Sequence, residues 1–164
     1  MGFFLLCFLV AETGAHAVVH HMYWYSRLIK PQITPPDGLF VPVWTILYAL
    51  MAIAAWMIWR TPRRRSRSKY YSSYQTDGTQ GAARTDALAV FYIQLGLGLL
   101  WAEMFFHFHR MLVSSVVILA LWFALIFTMF LFWRVRPKAA WLLLPCFAWV
   151  TFMIAVNLAF LRLN

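Results

Sequence analysis

The stretch from Trp24 to Trp56, WYSRLIKPQITPPDGLFVPVWTILYALMAIAAW, sets a proline-studded, mostly polar hinge directly before a long aromatic and apolar segment. Pro31, Pro35, Pro36 and Pro42 each fix φ and push the preceding residue toward extended backbone, so residues 30 to 42 are not expected to form continuous helix. From Phe40 to Trp59 the chain is apolar without alternation, and about 20 such residues in a helix cross a hydrocarbon layer of roughly 30 Å. The Trp, Tyr and Phe residues flanking the hinge point to a shaped recess at a membrane surface.

Working outward, composition assigns the whole chain to the same class. Hydrophobic residues make up 63% of its 164 residues and charged ones 12%, too little polar surface to cover a water-soluble globule. Five stretches reach spanning length: about 2–21, 40–59, 87–108, 112–132 and 140–161. None alternates as a transmembrane β-strand would, so the expected fold is all-α, an integral membrane bundle of five transmembrane helices forming a single domain over 1–164. The first stretch lacks a basic leader and carries Glu12, His16, His20 and His21, which reads as a retained helix. Cys7 and Cys146 both fall inside spans and make no disulfide framework.

A net charge of +9 would suit a nucleic-acid partner, but its distribution reports topology instead. Arg60, Arg63, Arg64, Arg65, Arg67, Lys69 and Arg84 sit between spans two and three, and Arg134, Arg136 and Lys138 between four and five. The positive-inside rule then places the N-terminus and both basic connections on one face, with the proline hinge on the other. Residues 60–86 read as a basic, mobile loop, either a solvated topogenic segment or an anionic-lipid contact.

Helical period adds what hydropathy lacks. Trp44, Tyr48, Met51 and Ala55 share one face of the second span, and Gln94, Gly98, Trp101 and Phe105 repeat that spacing on the third. Pro145, Trp149, Phe152 and Val156 do much the same on the fifth, whereas Trp59, Trp133 and Trp141 at span ends suit interfacial anchoring. Ala89 and Gly96 on the third span offer a small-residue surface for a homodimer, or equally a lipid-facing groove. Glu12 and His16 are four apart and can pair along one helix, and Glu103 has no obvious partner.

These residues carry a resemblance. The chain resembles the TspO/MBR family of tryptophan-rich sensory and translocator proteins, whose pattern WYxxLxKPxWxPPxxxFxPVWxxLYxLMxxAxW is met by Trp24, Tyr25, Leu28, Lys30, Pro31, Pro35, Pro36, Phe40, Pro42, Val43, Trp44, Leu47, Tyr48, Leu50, Met51, Ala54 and Trp56. The third-span pattern QLxLNxxWxxxFF is met by Gln94, Leu95, Leu97, Trp101, Phe105 and Phe106. Ile33 replaces the Trp of KPxW, Gly98 the Asn, Val117 an Asp found in many members, and Cys146 a Tyr.

The resemblance implies a five-helix bundle, often dimeric, with a cavity beneath the first loop that takes porphyrins such as haem and protoporphyrin IX, and in animal members sterols and benzodiazepine-type ligands. Transferred position by position, the implied lining is Tyr25, Pro35, Phe40, Trp44, Gln94, Trp101 and Trp149, with Trp44 and Trp149 expected as opposing walls. His16, His20 and His107 are candidate axial ligands for haem iron, or polar residues resting at the interface. Val156, Phe160 and Arg162 give a Phe-substituted version of the sterol motif. The implied role is transport, sensing or homeostasis of such ligands, with hydrophobic small molecules and membrane lipids as partners, no nucleic acid and no obligatory cofactor.

An enzyme is the weaker reading, since there is no phosphate loop, no metal-ligand spacing and no catalytic triad that the sequence brings together. The alternative implied by bacterial members is light-dependent porphyrin degradation. The implied membrane is the mitochondrial outer membrane in a eukaryote, and otherwise a bacterial envelope or a plant-type secretory membrane.

Overall fold

The computed structural model describes residues 2–61 and 73–163, and among these every regular element is helical. The elements are α1 (Gly2–His20), α2 (Met22–Ser26), a 3₁₀ turn at Asp37–Leu39, α3 (Phe40–Trp59), α4 (Ser73–Ala102), a π turn at Glu103–His107, α5 (Met111–Val135), α6 (Pro137–Trp141) and α7 (Leu144–Leu163). Among the described residues five helical stretches, α1, α3, α4 with its π turn, α5, and α6 with α7, are long and apolar enough to cross a membrane. The protein is a multi-pass integral membrane protein.

The hinge behaves as its prolines require. Thr34 N–H donates to the Pro31 carbonyl at 3.0 Å and Leu39 N–H to that of Pro36 at 2.9 Å, closing two turns before α3 begins at Phe40. Pro42 lies inside the span expected from residue 40 and is helical, because it occupies the first turn of α3, where a missing N–H removes no intrahelical bond.

Two other boundaries differ from the sequence reading. α4 starts at Ser73, so residues 73–86 are helix rather than loop, while residues 62–72, with Arg63, Arg64, Arg65, Arg67 and Lys69, lie outside the described residues. The last span is interrupted at Leu142 and Leu143, because Pro145 cannot donate to residue 141 and its ring clashes with that carbonyl in a continuous helix. Leu143 N–H donates instead to the Ala140 carbonyl at 3.0 Å, and α7 restarts with Pro145 in its first turn.

The spans close into a ring in which α1 packs on α3 and α4, α4 on α5, α5 on α6 and α7, and α6 and α7 on α3. At one end Ile58, Phe91, Phe132, Ala139 and Leu143 are fully buried, with Phe91 and Phe132 stacked at 6.0 Å. Toward the hinge end, Ser115 and Asn157 tie α5 to α7 through a 2.7 Å hydrogen bond, and Asn157 Nδ2 donates to Ser114 Oγ at 3.4 Å. Trp59, Trp133 and Trp141 are at least half exposed at the span ends, as interfacial anchors are.

Candidate functional site

Beneath the hinge, α2 turns Tyr25 into the bundle, with Trp24 half-buried and Tyr23 exposed. His21 breaks α1 from α2, and Tyr25, 1% exposed, lies among Phe40, Phe105, Phe106 and Phe160 at centroid distances of 5.5 to 6.4 Å. The π turn contributes two of those rings: Phe108 N–H reaches back five residues to the Glu103 carbonyl, and Phe105 and Phe106 stay buried together. Together with Trp101, Met153, Val156 and Asn157 these rings enclose a void of only about 10 Å³. They form a plug.

A second cavity lies between α1, α3 and α4, with a volume of about 30 Å³. Its lining includes Gly14, Phe40, Trp44, Tyr48, Gly98 and Trp101. Trp44 is 5.7 Å from Tyr48 and 5.7 Å from Trp101, with its plane tilted by little more than 30° from each. Gly98 is what admits Tyr48: a Cβ there would come within 3.3 Å of the Tyr48 hydroxyl oxygen. The volume exceeds the 10–15 Å³ or so that a single water needs and falls far below the roughly 300 Å³ at which ligand pockets begin, so any flat ligand must open it.

Polar atoms are left over in this apolar interior. The indole N–H groups of Trp101 and Trp149 and the amide oxygen of Gln94 are buried with no hydrogen-bond partner. Gln94 uses its other end, donating through Nε2 to Met51 Sδ at 3.2 Å. A buried donor or acceptor without a partner costs about 1–3 kcal/mol, a cost that an incoming ligand group can offset.

Of the expected lining, Phe40, Trp44 and Trp101 meet at the α1–α3–α4 cavity, and Tyr25 plugs the chamber beside it. Pro35 is half-buried in the hinge, Gln94 is buried against α3, and Trp149 packs on Phe152 at 5.6 Å, all three outside both cavities. Trp44 therefore meets Trp101 and not Trp149. The contribution of α1 through Ala11, Gly14, Ala15 and Val18 was missed, although the small residues clustered on that helix face were its signal.

The histidines lie elsewhere. His16 and His20 are exposed on α1 with rings 4.0 Å apart, and Glu12 makes no ion pair with His16. His107 sits against His21 at 5.0 Å, and His21 in turn is 5.7 Å from His109. His16, His20 and His107 line neither cavity, so axial ligation inside either has no support in their placement. Among the described residues no group of three or more His, Cys, Asp or Glu is arranged to hold a metal ion. The sterol motif is likewise turned inward, with Val156 and Phe160 each 1% exposed.

Five apolar spans gathered around small aromatic chambers under a proline hinge define a multi-pass membrane protein with a concealed aromatic recess. The sequence profile of the TspO/MBR family matches residues 3–163. The tryptophan-rich protein TspO of Chlorobaculum tepidum is 33% identical over 160 residues, 97% of this chain and 91% of its own. That of Archaeoglobus fulgidus is 36% identical over 141 residues, 86% of this chain and 80% of its own. The human translocator protein is 29% identical over 165 residues, 100% of this chain and 89% of its own. The chain belongs to the TspO/MBR family.

Proposed function

We propose that the protein binds porphyrins, haem and protoporphyrin IX among them, in the aromatic recess beneath the hinge and serves in their sensing or transport across or within its membrane. A general role in membrane sensing or transport agrees with relatives named sensory and translocator proteins. The observation that carries the porphyrin reading is Trp101, 2% exposed, whose indole N–H has no partner on the wall that it shares with Trp44. A planar macrocycle with carboxylate side groups gains from ring stacking and from burial worth about 25 cal/mol per Å², and supplies the acceptor that the indole lacks. Sterol recognition has no comparable support here, because its motif faces the core.

Titration of protoporphyrin IX into protein held in nanodiscs, read by tryptophan quenching, tests this reading. Trp44→Phe and Trp101→Phe are expected to weaken binding by about 1 kcal/mol each, and Trp56→Phe to leave it unchanged. Equal affinity in all three variants would move the ligand elsewhere. Illumination of the complex provides the second readout: a porphyrin product formed by wild type and lost in the Trp44 and Trp101 variants would make the protein an enzyme.

A further inference from the structure

Where α5 turns into α6, a basic cluster meets an apolar groove. Arg134, Arg136 and Lys138 stand at this corner, and from Met104 to Asn164 the chain holds no acidic residue to balance them. Among the described residues none of the three takes part in an ion pair. Arg136 is extended, with φ −155° and ψ 101°, so α5 passes into α6 across a single residue and the two helix ends stay side by side. Beside that corner lies a groove of about 330 Å³ lined by Met129, Phe130, Trp133, Ala140, Trp141 and Leu144. Its size falls at the low end of the roughly 300–1,000 Å³ of small-molecule sites. No lining side chain carries a charge or a hydroxyl, and Phe130, Trp133 and Trp141 are about half exposed, so the groove opens to lipid.

Charge and groove are in register. The Arg134 guanidinium carbon lies 4.3 Å from the centre of the Phe130 ring, one turn back along α5, so the cation is held against a wall of the groove. Lys138 precedes Trp141 by three residues and so shares its side of α6. The Trp133 and Trp141 rings, 6.1 Å apart, bring the α5 and α6 sides together. At 1.5 Å per residue Met129 lies about 8 Å deeper along α5 than Arg134, which sets an apolar channel below a charged rim. Solvated cations need no groove beside them, and a groove filled by hydrocarbon needs no cations above it. Side by side they match the two ends of one molecule, a negatively charged headgroup and a fatty-acyl chain.

We infer that this corner is a binding site for an anionic phospholipid, with an acyl chain in the Trp133–Trp141 groove and the phosphate on Arg134 and Lys138. Arg134 offers phosphate a planar fork of N–H donors and Lys138 a second point charge. A zwitterionic headgroup carries a cation of its own, which the basic cluster repels. The corner shares no lining residue with the aromatic recess, so the two sites stand or fall separately.

Native mass spectrometry of the full chain in detergent, titrated with dioleoyl phosphatidylglycerol or dioleoyl phosphatidylcholine, reads the affinity for the first lipid bound. Wild type is expected to favour the glycerol lipid by about 20-fold, and Arg134→Gln and Lys138→Gln each to lower that preference about five-fold. Arg60→Gln, which removes the same charge from above the Trp56 ring on the same membrane face, is expected to leave it unchanged. Leu144→Trp fills the groove while keeping every charge, and is expected to weaken the glycerol lipid about five-fold. The four substitutions fall at exposed positions, and an unchanged melting temperature certifies the fold of each. Glycerol 3-phosphate, a phosphate without chains, is expected not to displace the lipid. Equal affinity for the two lipids, a loss in Arg60→Gln as large as in Arg134→Gln, wild-type binding by Leu144→Trp, or displacement by glycerol 3-phosphate would each overturn the assignment.

Discussion

At Gly98 two local effects oppose each other. Alanine in a helix is favoured over glycine by about 1 kcal/mol, whereas a methyl within 3.3 Å of the Tyr48 hydroxyl oxygen crowds a packed site. Gly98→Ala is therefore expected to be near neutral in wild type and stabilising by about 1 kcal/mol in a Tyr48→Phe background, a coupling that thermal unfolding of the four proteins measures. His109 offers the other residue-scale test. It holds φ at 55°, in the left-handed region, with the Trp24 ring 4.0 Å away. Desolvation, then the neighbouring His21 and His107, lower its pKa below the ordinary 6.5. The unfolded chain then binds more protons between the folded value and 6.5, so stability is full above 6.5 and declines as pH falls from there toward the folded value. His109→Asn, which tolerates the same backbone, should flatten that decline when melting is compared at mildly acidic and alkaline pH.

At the scale of elements, the clasp between α5 and α7 is the most exposed to a single change. Asn157→Leu removes the acceptor for Ser115 and the donor to Ser114 inside an apolar interface, and is expected to cost about 1–2 kcal/mol in thermal stability. Ser114→Ala should cost less, because the contact that it loses to Asn157 is long at 3.4 Å. The spans themselves were legible because length and apolarity suffice to define them, and the start of α3 at Phe40 was legible in the hinge prolines. The extension of α4 to Ser73 was not, since Gly78, Gly81, Ser73 and Thr79 lower local helix preference in a segment whose helix continues from an apolar span. Pro145 was read as one of a row along a helical face, and its effect on the helix around it was overlooked. The aromatic faces of α3 and α4 were readable from period alone, but which helix faces which depends on ring order, and so Trp101 took the place given to Trp149.

For the whole molecule, charge asymmetry makes a claim that the fold does not itself decide. With α3 crossing the membrane once, cysteines introduced at Gln32 and at Thr61 should react from opposite sides, and Thr61 should lie on the face that carries the basic segments. Labelling of both positions by one impermeant reagent applied from one side would remove α3 as a span. The order of helices around the ring has a further consequence for how the protein is made. The α6–α7 span is seated between α3 and α5, both synthesised before it. Until it leaves the ribosome, residues such as Met51 and Ser115, which face it in the finished protein, have only lipid or a chaperone for company. The α6–α7 span is the keystone of assembly, and a nascent chain stalled before Leu144 would present quality control with an open, polar-lined cleft in place of a closed ring.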